Sequence, residues 1–562
     1  MTRNTIGRDP WWYSWLLISC LWASNQSAPF GAMAVSSPQE YSHQHLDPSD
    51  TEWGRAIDQP TEAKILDPQK QQVDIEDYSS YEHVDVAIVG GGLCGLLVAI
   101  GLARENPSLT TCVLERAPRL RSDSQGILAV QPNGMKALES IDPVLPEMVR
   151  TTGCERETLW ITHLSGHDDR RDEHHETGTA ILQKYGLKKV GITWHNMQQI
   201  LANRLIEVAD GNSIIRTGHA LSHFVELEDE EEGIVLYFDD PTIRPIRAHV
   251  VVACDGVFSA ARRQLDATPP LWFHQLNWGT IVRSHLLPPK ESHAPNQVHY
   301  VFMEQDEANK KKNQNSMNND PDTNDEADAS TPKTPPRWMA MLNDGGNGYT
   351  FFQFRVSDPL HANKLSGNGG RGGLGLPGVK ERLIRLAQKH PHALVVRQAL
   401  EAIPEESLFE RSIVGRTPLS SSWLSPKGRL ALVGDSAHGM HPNIAQGANQ
   451  AFESAAVLID TLRRTRRNPF RRKNDTSTGQ WLQRVLRDFD ARRRPRATLI
   501  QQYATCMGLV QSTGQQFVKD APLREEMMDW ILSNDPRRAP PTAVVEFLKG
   551  FDPLEHGASF LW

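Results

Sequence analysis

The sequence predicts an α/β protein in which a Rossmann-like nucleotide-binding domain carries an inserted sheet-rich domain and C-terminal helices. Residues 83–114 show the pattern of a short apolar strand, a glycine turn, an apolar helix and a second strand, which is a βαβ unit. Two later apolar runs, residues 248–253 and 428–433, are typical of strands in the same sheet. Between them, residues 272–415 show the alternation of half-buried strands.

These patterns divide the chain into segments. We assign residues 83–271 and 416–505 to the nucleotide-binding domain and residues 272–415 to the inserted domain. Within the latter, residues 304–336 are rich in Asn, Lys, Asp and Pro, a composition that cannot bury a core, so we predict a disordered insertion there. Residues 506–562 are predicted to be helical.

Length, charge and cysteine content limit the class of protein. A chain of 562 residues can form two or three domains with at least one large core, and a net charge of −8 indicates no nucleic-acid partner. The six cysteines show neither the spacing of a zinc site nor that of a redox motif, and we expect no disulfide scaffold.

The amino-terminal 34 residues resemble a secretory signal. Arg3 and Arg8 precede an apolar, tryptophan-rich run at residues 11–22, and small residues follow at 32–34. The run is shorter than the about 20 residues needed to span a bilayer. We predict targeting to the secretory pathway or an organelle, followed by a flexible spacer at residues 35–82. An uncleaved membrane anchor and a wrongly assigned start of the gene stay open as alternatives.

The first motif is a glycine-rich turn. Gly90 permits the tight turn after the strand, Gly92 lets the backbone approach a pyrophosphate, and Gly95 allows the helix to pack closely on the strand. The phosphates would then lie at the amino end of the helix. Glu115 ends the second strand, where an acidic side chain can hydrogen-bond ribose hydroxyls. By itself this motif indicates only a nucleotide binder.

The second motif ends the strand at residues 248–253. Asp255 and Gly256 follow that strand and precede a helix that carries Arg262. A generic capped turn, with Ser259 near the helix start, would show the same pattern.

The third motif follows the strand at residues 428–433. Asp435 lies where a carboxylate could bind the hydroxyls of a flavin's ribityl chain. Pro442, Gly447 and Ala448 belong to a run that supplies backbone amides at another helix start, and those amides could face the flavin ring. The three motifs in this order and at these separations indicate an enzyme that uses FAD.

The motifs resemble those of the single-component FAD-dependent aromatic-ring hydroxylases, which include salicylate and para-hydroxybenzoate hydroxylases, and the chain is also similar to zeaxanthin epoxidases. The resemblance covers most of residues 83–505 and includes residues 126–133, 416–419 and 492–496. It implies an FAD-binding domain of the glutathione-reductase type, with residues 272–415 as the substrate domain.

The resemblance also implies roles for individual residues. Glu115 would bind the adenosine ribose, Gly126 would lie near the dinucleotide, and Asp435 would bind the ribityl chain or the pyrophosphate. Gly447 and Ala448 would contact the isoalloxazine ring. The residues predicted to bind cofactors are Gly90, Gly92, Gly95, Glu115, Gly126, Asp255, Gly256, Arg262, Asp435, Pro442, Gly447 and Ala448.

Asp255, Gly256 and Arg262 match a family motif associated with both FAD and NADPH. One departure concerns the helix near Leu201: many members carry an arginine at its start, whereas this chain has Trp194 and the three residues that follow it. A contact from an arginine at that position is therefore not expected here.

The activity implied by the resemblance is a monooxygenase reaction. NADPH or NADH reduces the flavin, O2 adds to give a flavin hydroperoxide, and one oxygen atom passes to a small aromatic or conjugated substrate. An isoprenoid or carotenoid epoxidase is the alternative within the class, and a long apolar tunnel in the substrate domain would favour it. A flavin reductase or dehydrogenase without oxygen insertion, and a non-catalytic membrane-tethered flavoprotein, also stay open.

The sequence identifies no catalytic base. Tyr300, Tyr349 and His299 lie in the presumed substrate sheet, where packing is the simpler interpretation. His438 and His441 have a spacing that fits one helical face but lack an acidic or cysteine companion, so we expect local hydrogen bonds rather than a metal site.

Overall fold

The computed structural model describes part of the chain. The described residues are 80–560 without 121–125, 166–167, 210–212, 229–232, 288–294, 304–337, 358–372, 375–376, 420, 468–476 and 511–520. The signal-like segment at residues 1–34, most of the spacer and the insertion at residues 304–336 lie outside the described residues and stay predictions.

The strands and helices are numbered here in chain order. The strands are β1 Glu82–Val89, β2 Thr111–Leu114, β3 Ile127–Val130, β4 Cys154–Glu155, β5 Thr158–Ser165, β6 Asp169–Glu176, β7 Val190–Thr193, β8 Ser213–Arg216, β9 Leu221–Glu226, β10 Ile234–Phe238, β11 Ile246–Ala253, β12 Leu271–Arg283, β13 Gln297–Met303, β14 Trp338–Gly346, β15 Tyr349–Val356, β16 Gly373–Leu374, β17 Phe409–Gly415, β18 Leu430–Leu432 and β19 Ser559–Phe560. The helices are α1 Leu93–Glu105, α2 Pro132–Ile141, α3 Leu145–Thr152, α4 Gly178–Tyr185, α5 Trp194–Ala209, α6 Ala260–Leu265, α7 Val379–Ala387, α8 Leu394–Ala402, α9 Asp435–His438, α10 Gly447–Arg467, α11 Thr478–Val510, α12 Ala521–Ser533 and α13 Thr542–Lys549.

The first sheet is mainly parallel and forms the core of the nucleotide-binding half. Its order is β8-β2-β1-β11-β10-β9, and β18 also pairs with β11 in parallel. The strands β1, β2, β11 and β18 are rich in buried apolar residues because helices cover both faces, as is usual for parallel sheets. The carboxyl ends of β1, β2, β11 and β18 lie side by side, and each of the predicted motifs follows one of these strands.

Helix α1 is buried on all sides, from Leu93 to Ala103. It packs between the sheet, α5 and α10, which explains why its sequence is apolar without a polar face. At Gly101 the side chain of Ile459 on α10 lies so close that a Cβ would collide with it. The glycine therefore sets how closely these two helices approach.

The second sheet is mainly antiparallel and has the order β16-β17-β12-β15-β14-β13-β5-β6, with β19 paired to β12. One face packs against α7 and α8 through Trp278, Phe354 and Val379, among other apolar residues. The opposite face carries a different set of side chains, described below. Three short strands, β3, β7 and β4, form a small third sheet.

Two strand pairings cross the boundaries of the assigned segments, and the domain assignments stay predictions. Strands β5 and β6 lie in residues 83–271, yet β5 pairs in parallel with β13 of the second sheet. In the C-terminal segment, for which helix is predicted to about Leu548, β19 pairs with β12. Both pairings join segments more than 100 residues apart, and such non-local pairing leaves no local pattern in the sequence.

Candidate active site

The glycine turn after β1 is tight at two positions and open at a third. Gly90 has φ +104, a left-handed value that favours glycine, and its N–H donates to the carbonyl oxygen of Leu114 at 2.7 Å. A Cβ on Gly95 would collide with the carbonyl oxygen of Gly90. A Cβ on Gly92 would meet no atom within 4 Å. The open position lies at the amino end of α1, where backbone N–H groups favour an anion.

Glu115 lies beside this turn and is buried. One carboxylate oxygen accepts a hydrogen bond from the N–H of Gly91 at 2.8 Å, and the other accepts from the N–H of Ala117 at 3.0 Å. Gln198 on α5, which the sequence analysis did not single out, donates to the carbonyl oxygen of Gly91 at 2.8 Å. The carboxylate is therefore fixed at the glycine turn while part of its accepting capacity stays available.

Asp255 follows β11 and has one carboxylate oxygen with a partner and one without. Its Oδ2 accepts from the N–H of Ala261 at 3.2 Å, whereas its buried Oδ1 has no hydrogen-bond partner among the described residues. Burial raises the pKa of this carboxyl. Gly256 next to it has φ +78. A buried acceptor without a donor indicates a place where a ligand can supply one.

Arg262 is fully buried and connects the second motif to the third. Its guanidinium donates to the carbonyl oxygens of Ser436 at 3.2 Å, Ala437 at 2.9 Å and Thr417 at 2.7 Å. The sequence analysis predicted Arg262 as a cofactor-binding residue. The structure instead shows it holding the backbone of α9 and of the segment before β18, while a cofactor contact stays a prediction.

Asp435 begins α9 at the end of β18. Its side chain is exposed to solvent, while desolvation by the neighbouring protein atoms raises the pKa of the carboxyl. Among the described residues the carboxylate has no hydrogen-bond or ion-pair partner, and the backbone carbonyl oxygen accepts from the N–H of Gly439. Ser436 next to it donates to the carbonyl oxygen of Ala253 at 2.6 Å, which ties the third motif to the end of β11. Asp435 therefore lines a recess between the second and third motifs.

The loop before α10 contains a short 3-10 turn at Pro442–Ile444, and Ala445 follows with φ +51. A Cβ on Gly447 would meet no atom within 4 Å, so the amino end of α10 is open at the backbone. Ala448 is half-buried at the same helix end.

A buried polar network holds this loop against the end of β3. Asn133 donates to Gln446 Oε1 at 2.9 Å and to Glu453 Oε1 at 2.8 Å. Asn449 Oδ1 accepts from the N–H of Gln131 at 2.9 Å, and Gln131 Nε2 donates to the carbonyl oxygen of Ile444 at 3.2 Å. The loop conformation at the start of α10 is thus fixed by side chains rather than by a regular element.

Glu453 anchors the network through two arginines on α11. Arg493 and Arg496 each donate to Glu453 Oε2 at 3.0 Å. Glu453 and Arg493 are almost completely buried, whereas Arg496 is partly exposed. Burial alone would raise the pKa of Glu453, but the guanidinium groups of Arg496 and Arg493 outweigh it and lower this pKa to about 2.

The pKa of Glu453 predicts how stability depends on pH. Its folded pKa of about 2 is below the ordinary 4.5, so its contribution is complete above pH 4.5 and declines as the pH falls toward 2. The contribution is about 3 kcal/mol at neutral pH. We expect Glu453→Gln to remove it, so the difference in unfolding free energy between wild type and variant should shrink between pH 4.5 and 2. Urea unfolding at several pH values measures this, with exposed Glu381→Gln as the control; a pH-independent difference would contradict the role of Glu453.

His438 and His441 are buried and neutral. Burial lowers the pKa of His438 to about 3 and that of His441 well below its ordinary value. His441 Nδ1 accepts from the N–H of Asn443 at 3.2 Å, so its Nε2 donates to Gln275 Oε1 at 3.2 Å. In the part of the chain that the structure describes, no group of His, Cys, Asp and Glu side chains could hold a metal ion.

Gly126 precedes β3 and lies beside the start of α5: its carbonyl oxygen accepts from the N–H of Trp194 at 2.9 Å. A Cβ on Gly126 would be 3.9 Å from the Trp194 Cβ. The backbone of Gly126 is therefore hydrogen-bonded to the start of α5, where this chain lacks the arginine that many members of the resembling family carry.

The face of the second sheet that is turned away from α7 and α8 carries several polar side chains among apolar ones. In β15, Phe352 and Phe354 join the apolar core, so Gln353 and Arg355 point to the other side. Asn277 on β12 and Met339 on β14 are the cross-strand neighbours of Arg355. His441 in the loop before α10 donates to Gln275 on β12 at 3.2 Å, which places the loop against this sheet.

These features fit a flavin dinucleotide. Gly92 and Gly447 leave open backbone at two helix amino ends, suited to a pyrophosphate and to the anionic edge of a flavin ring. Glu115 offers an acceptor for ribose, and Asp435 offers an exposed carboxylate that has no partner among the described residues. The fold and the site together define a flavin-dependent oxidoreductase.

Comparison with known proteins specifies the class. A family model described as an FAD binding domain matches residues 83–328. Kynurenine 3-monooxygenase from Saccharomyces cerevisiae is 25% identical over 397 residues, covering 67% of this chain and 74% of that enzyme. Chloroplastic zeaxanthin epoxidase from Prunus armeniaca is 24% identical over 439 residues, covering 77% of this chain and 56% of that enzyme.

A solved structure shares the fold. The crystal structure of Klebsiella pneumoniae HpxO complexed with FAD and uric acid matches with a TM-score of 0.54 at 16% identity, covering 83% of this chain and 96% of that chain. The chain is an FAD-dependent monooxygenase of the aromatic-hydroxylase type, with NADPH or NADH as the electron donor.

The open position at Gly92 gives a direct test of the phosphate site. We expect Gly92→Ala to weaken FAD binding roughly tenfold, because the methyl group enters the space beside the amino end of α1. The free energy of unfolding of the apoprotein should change by about 1 kcal/mol or less. Flavin titration and urea unfolding measure the two quantities. The control is Gly550→Ala, because Gly550 is also open but lies at the end of α13. Unchanged FAD affinity in Gly92→Ala would show that the phosphates do not bind at this turn.

Proposed function

We propose that the enzyme inserts one oxygen atom from O2 into a small aromatic or otherwise conjugated substrate bound between the loop before α10 and the face of the second sheet that is turned away from α7 and α8. The observation that supports this most directly is the hydrogen bond of 3.2 Å between His441 in that loop and Gln275 on β12, which joins the loop to the second sheet. Bound FAD would supply the reducing equivalents from NAD(P)H and the activation of O2.

The chain's own residues bind, orient and exclude water. Asp435, Glu115 and the amides at Gly92 and Gly447 would hold the cofactor, with Asp255 and Gly256 close by. The network of Gln446 and its partners fixes the loop that would face the ring. The buried His438 and His441 form hydrogen bonds with Ser454 and Gln275. Catalysis would thus depend on positioning and on exclusion of water rather than on a protein base.

The alternative within the class is an epoxidase of an isoprenoid or carotenoid, which the similarity to zeaxanthin epoxidase supports. Such a substrate needs a long apolar channel. The face of the second sheet that carries Asn277, Gln353 and Arg355 also carries Met339, Met341 and Phe351. This mixture of polar and apolar groups favours a small aromatic substrate with polar substituents. A flavin reductase or dehydrogenase without oxygen insertion is the alternative from another class.

One experiment separates these functions. The FAD-loaded protein is supplied with NADPH or NADH under ¹⁸O2, and aromatic acids, phenols, aromatic amides and isoprenoids are screened for stimulated NAD(P)H oxidation and for labelled product. One ¹⁸O atom in an aromatic product is the expected result. Labelled isoprenoid product would favour the epoxidase, and NAD(P)H oxidation without label in any product would indicate a reductase.

We also propose the finer points of architecture and location. The parallel order of β8, β2, β1 and β11 with antiparallel β10 and β9 supports a domain of the glutathione-reductase type. Among the described residues, no helix has the length and apolar content to cross a membrane. Secretory or organelle targeting, and any membrane association through residues 11–22, rest on the sequence alone.

A further inference from the structure

Two thiols lie where the three cofactor motifs meet. Cys94 is the second residue of α1, and Cys254 lies between β11 and Asp255. The Cys254 thiol donates to the sulfur of Cys94, with the two Sγ atoms 3.7 Å apart. Cys94 Sγ also donates to the carbonyl oxygen of Ala451 on α10 at 3.6 Å, and a Cβ on Gly434 would be 3.0 Å from this sulfur. The pair therefore joins the first motif to the second and packs against the third.

The other described cysteines do not form such a pair. In the part of the chain that the structure describes, no second thiol is hydrogen-bonded to Cys112, Cys154 or Cys506. Cys112 and Cys506 have no accessible surface, whereas Cys94 and Cys254 keep 7% and 8% of theirs. A small oxidant can therefore reach this pair, and each of its thiols has a partner with which it can form a bond.

The two thiols of the pair differ in their hold on the proton. The hydrogen bond to Cys94 and burial raise the pKa of Cys254 well above its ordinary value, so Cys254 keeps its proton. The sulfur of Cys94 accepts that hydrogen bond and lies in the first turn of α1, where backbone N–H groups favour negative charge. Cys94 is therefore the thiol that attacks an oxidant, and Cys254 is the thiol that then reacts with the product.

We propose that Cys94 and Cys254 are a redox-modification site, at which hydrogen peroxide forms a disulfide that weakens the binding of FAD. Peroxide is the product when NAD(P)H reduces O2 and no substrate takes an oxygen atom: NAD(P)H, O2 and one proton give NAD(P)⁺ and H2O2. The disulfide thus switches the enzyme off when its reaction runs without substrate, and a dithiol reductant switches it on again.

The oxidation takes place in two steps and needs one molecule of peroxide. The Cys94 sulfur attacks one peroxide oxygen, the O–O bond breaks, and the Cys94 proton leaves with the other oxygen as water. This gives a sulfenic acid on Cys94. The Cys254 sulfur then attacks the Cys94 sulfur, the S–O bond breaks, and the Cys254 proton leaves with the hydroxyl group as a second water. Two thiols lose two electrons to the peroxide, and one S–S bond forms.

A disulfide changes how the motifs pack. It needs about 2.0 Å between the sulfur atoms, which is about 1.7 Å less than their present separation. The backbone at Cys254 is held in place, because its N–H donates to the carbonyl oxygen of Val89 at 2.7 Å. The approach of the two sulfur atoms therefore draws Cys94 away from Gly434 and Ala451, and the first motif loses contact with the third. Because the amino end of α1 is the expected phosphate site, FAD binds less tightly.

Peroxide treatment of the FAD-loaded protein tests the proposal. Hydrogen peroxide is added in small molar excess, catalase stops the reaction, and free thiols, disulfide-linked peptides and the Kd for FAD are measured. We expect the loss of two thiols, a peptide in which Cys94 is linked to Cys254, and FAD binding that is weaker by about tenfold or more. Dithiothreitol should reverse all three changes, and since it does not reduce methionine sulfoxide, the reversal excludes an effect of methionine oxidation. If the linked peptide is absent, or if it forms without a change in the Kd for FAD, the proposal is wrong.

Alanine variants connect the effect to this pair. Cys94→Ala and Cys254→Ala each remove one of the two thiols, and Cys506→Ala is the matched control, because it removes a buried thiol outside the pair. The Kd for FAD is compared before and after peroxide within each variant, so a change in basal affinity does not affect the comparison. We expect the ratio to stay within about twofold in Cys94→Ala and Cys254→Ala, and to reach about tenfold or more in wild type and Cys506→Ala.

The two variants of the pair are independent tests, so one of them decides the question if the other does not fold. A response of either variant equal to that of wild type would show that another group controls FAD binding, and it would contradict the proposal. Because the peroxide is added, the result does not depend on the identity of the substrate or on oxygen insertion. An enzyme that inserts ¹⁸O but forms no linked peptide keeps its monooxygenase function and lacks this site.

Discussion

Asp435→Ala is expected to weaken FAD binding roughly 10- to 100-fold, because the carboxylate would otherwise accept charge-assisted hydrogen bonds from the cofactor. In the protein alone this side chain is exposed and its carboxylate has no hydrogen-bond or ion-pair partner among the described residues. Removing it should therefore change the stability of the apoprotein by about 0.5 kcal/mol or less. A loss of FAD affinity without a loss of stability distinguishes loss of a binding group from general damage.

The measurement compares the flavin content of purified protein and the Kd for FAD with the midpoint of urea unfolding of the apoprotein. Asp435→Asn should lie between wild type and alanine, because the amide keeps an acceptor but loses the charge. Asp169→Ala, on the exposed edge strand β6, is the control. If Asp435→Ala retains stoichiometric FAD, the third motif does not bind the cofactor and its assignment is wrong.

The parts of the fold that the sequence predicted are local in the chain. The residues of β1, the glycine turn and α1 form one continuous pattern, and the alternation predicted within residues 272–415 is observed as strands such as Tyr349–Val356. A β-strand or a turn needs only its own residues to be recognised. The pairing of β5 with β13 could not be predicted in this way, because it joins residues more than 130 positions apart.

The candidate site was predictable as a set of backbone motifs but not as a set of side-chain partners. Asn133 and Gln446 lie in runs that the sequence analysis quoted, yet their hydrogen bond joins residues 313 positions apart. Arg355 left a local sign that could have been used: Gln353 and Arg355 are polar residues at alternate positions of an otherwise apolar strand. Polar groups on the inward face of a buried strand indicate a site rather than a solvent face.

Arg493→Met is expected to lower the free energy of unfolding by about 3 kcal/mol or more, because it leaves Glu453 buried with an incomplete set of donors. The side chain also donates to Ser454 Oγ at 2.9 Å and to the carbonyl oxygen of Gln450 at 3.0 Å, so further buried acceptors lose their donors. Since the same network fixes the loop before α10, FAD should dissociate more readily as well.

The neighbouring Arg492→Met is a close control, because it lies on the same helix but pairs with the half-exposed Asp460. A pair of that kind contributes about 1 kcal/mol or less. Urea unfolding of both variants therefore separates a buried network from a surface pair. The double variant Glu453→Gln, Arg493→Met should recover part of the lost stability, because the unpaired buried charge is gone. Equal losses for Arg492→Met and Arg493→Met, or no recovery in the double variant, would show that Glu453 and Arg493 are not energetically coupled and that the loop is held by packing instead.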